Sequence, residues 1–120
     1  MLEVALLILT LAAEGEPRLT LSPTEDMEDC LAMQDVVTQI LTEAGQPPLL
    51  TRCGETDVRL SPFIHGTPPE AEIHRYRVEL PAEDGYRVFP LTDDQSCTAD
   101  EVAELAIYCT RSAQFVQNDG

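Results

Sequence analysis

The run VALLILTLAA, Val4–Ala13, constrains this chain more than any other stretch: ten residues without a charge and with a single hydroxyl. Such a run must leave water. A helix that spans a bilayer needs about 20 apolar residues, and Glu14, Glu16 and Arg18 close this run too early for that. Its length suits the apolar stretch of a secretory signal, about 7–15 residues. Thr10 and Ala12, or Leu11 and Ala13, are suited to flank a cleavage site. Signals normally begin with positive charge, whereas Glu3 is the only charge ahead of this run. The alternative is a strand covered on both faces, which reads as a continuous apolar stretch. Residues 1–13 are thus assigned to an export signal, with a buried strand as the alternative, and residues 14–120 to one domain.

The 120 residues are 43% apolar and 5% aromatic with no Trp, which predicts a single domain with a thin core. Acidic residues number 22 against 7 basic ones, for a net charge of −15, and every basic residue is Arg. Nucleic-acid binding rests on cations that neutralise phosphates, so this balance argues against a nucleic-acid partner. An anionic membrane surface is disfavoured for the same reason. A cation or a basic protein is attracted.

Along the chain, Ser22 with Glu25 three residues later forms a capping box, with Pro23 at the first helical position. Met27, Cys30, Leu31, Val37, Ile40 and Leu41 fall at helical spacing, and Gly45 with Pro47–Pro48 stops the pattern. This predicts a helix over 23–44. Residues 56–62 alternate weakly and predict a strand. In EIHRYRVEL, His74, Tyr76, Val78 and Leu80 share one face and Arg75, Arg77 and Glu79 the other. PAEDG and YRVFPL complete a hairpin in which Glu79 faces Arg87 and Arg77 faces Phe89, with Pro90 marking an edge. Thr98 and Glu101 make a second capping box, and Val102, Leu105, Ala106, Cys109, Ala113 and Val116 an apolar stripe. This predicts a second helix over 99–117. The expected fold is α+β: two helices on a small antiparallel sheet of about three strands, in the order helix, strand, hairpin, helix.

Cys30, Cys53, Cys97 and Cys109 are an even set in a short chain, which suggests two disulfides. If 99–117 is helical, Cys97 and Cys109 stand roughly 18 Å apart at 1.5 Å per residue. A bridge needs Cα atoms within about 7 Å. That excludes Cys97–Cys109 and its complement Cys30–Cys53. It leaves Cys30–Cys109 with Cys53–Cys97, the favoured set, or Cys30–Cys97 with Cys53–Cys109.

No pair of cysteines has zinc-knuckle or redox spacing, and no cofactor or metal site is expected. No glycine-rich phosphate loop or nucleophile motif occurs, so catalytic residues are not assigned. The basic residues Arg75, Arg77 and Arg87 gather on one hairpin face, with Arg52 and Arg59 near in sequence. They are the candidate site for an anion or an acidic partner segment. The chain therefore reads as a small exported binding protein, periplasmic or secreted, that acts through protein contacts as an adaptor, accessory subunit or inhibitor. Two alternatives stand beside it: a cytoplasmic acidic interaction protein with free thiols, and a small hydrolase-like enzyme using His65 or His74.

Overall fold

Glu3–Thr10, which takes in most of the apolar run, forms β1, with Ala5, Leu6, Leu7, Ile8 and Leu9 all buried. Both faces of β1 are covered, which explains why its sequence shows no alternation. The fold is seen in a computed structural model that describes residues 3–11, 17–61, 71–82, 85–92, 94–101 and 105–117. The other elements are β2 (Arg18–Pro23), α1 (Met27–Glu43), β3 (Leu50–Thr56), β4 (His74–Pro81), β5 (Arg87–Leu91), β6 (Asp100–Glu101) and β7 (Leu105–Ser112). The strands lie in the order β3-β1-β2-β7-β4-β5, and the short β6 pairs with β7. Neighbours are antiparallel except β2 and β7, which run parallel and meet at Arg18 and Arg111.

The two faces of β1 serve two cores. Leu6 and Ile8 with Cys30 form one, packed by Met33, Val37 and Leu41 of α1. The helix thus covers the outer side of β1 and β3. Ala5, Leu7 and Leu9 point the other way, toward Leu19, Leu21, Tyr76, Val78, Leu80, Tyr86 and Val88. For β1 and β4 to share this second core, the sheet must curl upon itself. Arg52, on the inner face of β3 opposite Leu7, marks the closure: its Nη1 donates to the carbonyls of Pro81 at 2.6 Å and Gly85 at 3.2 Å. The buried carboxamide of Gln114 holds another seam. It accepts from Leu21 N at 2.9 Å and donates to the carbonyls of Leu21 at 3.0 Å and Ser61 at 2.6 Å.

Four expectations are corrected. The sheet is mixed and larger than three antiparallel strands, and α1 is the one helix among the described residues. The first helix begins at Met27, capped by Asp26, whose carboxylate accepts from Asp29 N at 2.8 Å. Ser22 and Pro23 instead end β2, paired with Leu6 and Ala5. The second helix is replaced by β6 and β7. Ile107, Tyr108 and Thr110 favour a strand, and β7 pairs with β4 along its whole length, from Leu105 opposite Pro81 to Ser112 opposite His74. A long-range ladder here outweighs a local capping box and a helical stripe. The strand expected at 56–62 lies earlier, at Leu50–Thr56.

The disulfides follow from this correction. They are Cys30–Cys53 and Cys97–Cys109, with Cα separations of 6.0 and 5.9 Å. This is the set that the helical assumption excluded. With Cys109 on a strand, the chain between the two cysteines doubles back to lay β6 beside β7, with Asp100 opposite Ile107. Neither favoured pair, Cys30–Cys109 nor Cys53–Cys97, forms, because α1 sits over β3 and β1 while β7 lies beyond β2.

Candidate functional site

The hairpin register is the one expected from sequence: Arg77 stands opposite Phe89 and Glu79 opposite Arg87, and β5 with its Pro90 ends the strand order. Tyr76, Val78 and Leu80 fill the core, so Arg75, Arg77 and Glu79 project from the outer face. Arg75, Arg77 and Arg87 thus share one sheet face.

Two further arginines join them. Arg111 of β7 lies opposite Arg75, and Arg18 of β2 pairs with Arg111. Arg18, Arg111 and Arg75 therefore form a lateral row over three strands. In the adjacent rows Cys109 stands opposite Arg77 and Ile107 opposite Glu79. Five of the seven basic residues occupy this face of a chain whose net charge is −15. Arg52 and Arg59 do not belong to it: Arg52 closes the inner seam, and Arg59 pairs with Glu3.

Like charges directly opposite one another on a sheet are destabilising, so the row needs local compensation. Arg18 has it in a two-pronged pair with Glu72, at 2.6 and 2.9 Å, and this hydrogen bond raises the guanidinium pKa. Glu79, with its side chain 12% exposed, is shared between Arg77 at 2.8 Å and Arg87 at 3.9 Å. Arg75 is held by backbone carbonyls, Gln95 O at 2.9 Å and Thr92 O at 3.4 Å. One feature leaves capacity for an acceptor from outside, and a second is an unsatisfied donor within the face. The Arg87 side chain is 66% exposed at a long distance from its shared partner. Arg77 Nε is buried with no hydrogen-bond partner among the described residues. Phe89, 41% exposed, adds an apolar surface beside Arg77.

His74 lies at the end of β4 with its ring centroid 6.0 Å from that of Phe115. His65 lies outside the described residues. Among the described residues no cluster of His, Cys, Asp and Glu is placed to hold a metal ion, and no helix is long and apolar enough to cross a membrane.

Arg18 and Arg111 were invisible to sequence reasoning because their proximity depends on a single parallel pairing between residues 93 positions apart. The alternation of β4 was a sufficient signal for Arg75 and Arg77. Compared with known proteins, the chain matches no family model, no curated protein and no solved structure.

Proposed function

We propose that this chain is a small disulfide-stabilised binding protein of an oxidising compartment, periplasmic or extracellular, whose arginine-bearing sheet face takes a carboxylate-rich segment of a protein partner. One observation carries the reading: the gathering of Arg18, Arg75, Arg77, Arg87 and Arg111 on one face of an otherwise acidic protein. Guanidinium groups suit carboxylates because their paired N–H donors match the two oxygens. The overall negative charge does not forbid this. At physiological ionic strength the screening length is about 8 Å, so a bound carboxylate responds to the groups of the face itself, five arginines against Glu72 and Glu79, rather than to the net charge of the whole chain.

The disulfides support the compartment, since such bonds persist where thiols are not kept reduced. Cleavage after Ala13 removes the strand with which both β2 and β3 pair. The reading therefore keeps residues 3–10 in the working protein and assigns export on the disulfides alone.

The test is fluorescence anisotropy of a labelled hexaglutamate peptide at about 0.15 M salt. Binding that weakens with added salt and falls about tenfold in the Arg75→Glu/Arg87→Glu variant supports the reading. No binding, or binding indifferent to both reversals, overturns it.

A further inference from the structure

The chain between β5 and β6 has a forced path. β5 lies on one side of β4, and β6 on the side of β7 away from β4. To pass from one to the other, the chain must cross over both strands. It crosses on the outer face, because Arg75 and Cys109, which hold it, both belong to that face. Arg75 donates to Gln95 O, Cys97 is bonded to Cys109, and Asp100 then stands opposite Ile107. Residues 94–101 are thus a strap laid over the arginine face.

We infer that the Cys97–Cys109 disulfide is a redox latch on this strap, and that dithiol exchange at Cys97 uncovers Arg75 and Arg77 for a carboxylate ligand. The ligand half of this statement rests on the proposed function; the latch itself does not. Three observations carry the latch.

First, apart from the disulfide the strap is held by Arg75 at Gln95 O and by the short pairing of β6 with β7. β6 is two residues long, and residues 94–96 and 98–100 are exposed. Second, the two disulfides differ in access. Each bridge joins a buried cysteine, Cys30 or Cys109, to a half-buried one, Cys53 or Cys97, and the difference lies in the setting: Cys53 belongs to β3, paired with β1 and packed against α1, whereas Cys97 lies outside any strand with exposed residues on both sides. Exchange needs an approaching thiolate to reach sulfur, so Cys97–Cys109 is reduced first. Third, what lies under the strap is unfinished. Arg75 Nη1 donates to the strap carbonyl of Gln95 and to Thr92 O just ahead of the strap, and Arg77, opposite Cys109, keeps a buried Nε without an acceptor among the described residues. Lifting the strap frees the first and gives a ligand access to the second.

The chemistry balances with a dithiol as reductant. Its thiolate attacks Cys97 Sγ, the sulfur–sulfur bond breaks, and Cys109 leaves as thiolate. The second thiol of the reductant, as thiolate, attacks its own sulfur in the mixed disulfide and releases Cys97. The reductant ends as an internal disulfide. Two electrons pass to the protein pair, and the two protons lost by the reductant end on Cys97 and Cys109.

The experiment uses the full chain. It is titrated with dithiothreitol, alkylated and mapped by mass spectrometry, while amide exchange is followed over 94–101. A Cys97→Ser/Cys109→Ser variant serves as the permanently open form. The expected result is alkylation of Cys97 and Cys109 while Cys30–Cys53 stays intact. Amides of 94–101 then lose protection in both the reduced protein and the variant, and those of β1 and β4 keep theirs. Strap protection unchanged after selective reduction, or Cys30–Cys53 reduced first, overturns the latch. Hexaglutamate affinity is read in parallel: a rise of about tenfold on opening, or about 1.4 kcal/mol, supports the gate. An Arg-dependent affinity that is equal in both states overturns the gate. Absence of peptide binding in both states overturns the ligand, while exchange over 94–101 still decides the latch.

Discussion

The Tyr86 hydroxyl donates to the Ala5 carbonyl over 2.8 Å, tying the β4–β5 hairpin to a strand three places away along the sheet. The ring reaches that position because Gly54 of β3 has no side chain. A Cβ there meets Tyr86 ring atoms at 2.9 and 3.0 Å and Gly85 Cα at 3.2 Å. Tyr86 is buried and has no room to retreat. Gly54→Ala is therefore expected to lose about 1–3 kcal/mol by overpacking, measured by urea denaturation. An unchanged midpoint contradicts the close approach.

Tyr76 and Tyr86 also set an alkaline limit. Burial raises both phenol pKa values, that of Tyr76 to about 12 and that of Tyr86 further. In the unfolded chain each ionises near the ordinary value of about 10. Between these pH values the folded state retains protons that the unfolded state has released, so unfolding becomes easier as pH rises. Stability is expected to hold up to about pH 10 and to fall from there toward pH 12. Brief denaturant titrations at stepped pH, compared with Tyr76→Phe, check this: the variant should show a shallower decline.

Gln114 is buried and serves three backbone groups, of Leu21 and Ser61. Gln114→Leu fits the volume but leaves all three without a partner. A loss of about 3 kcal/mol is expected, since each abandoned buried group costs about 1–3 kcal/mol. Gln114→Glu should fail similarly, because a carboxylate cannot donate to the two carbonyls. Thermal unfolding of both variants provides the measurement.

Each disulfide closes a loop, of 23 residues for Cys30–Cys53 and 12 for Cys97–Cys109. In the loop-entropy account each contributes about 3 kcal/mol, slightly more for the longer loop. Cys30→Ala/Cys53→Ala is expected to lose about that much. Intact mass should rise by about four hydrogens on full reduction, two for each bridge. Peptide mapping that links Cys30 to Cys109 contradicts the pairing described.

The β4–β5 hairpin was legible in the sequence down to its register, because alternation in EIHRYRVEL and a short connection determine which residues face one another. α1 was legible too, but not its start: Ser22, Pro23 and Glu25 satisfy a helix start, and pairing with β1 claims the first two for β2. Residues 105–112 misled because small apolar residues at helical spacing sit equally well on a strand between two ladders. That single error excluded the true disulfides and concealed Arg111. The candidate face was legible only where β4 and β5 build it. Its other half, Arg18 and Arg111, depends on two segments that meet once and in parallel.

That lone meeting also orders events during synthesis. β1, β2, α1 and β3 form one paired unit, and β4 with β5 another, and neither contains β7. As β7 is the strand whose ladder joins them, the two halves meet through side chains, at Tyr86 with Ala5 and Arg52 with Pro81, and gain continuous backbone pairing only once residues 105–112 are in place.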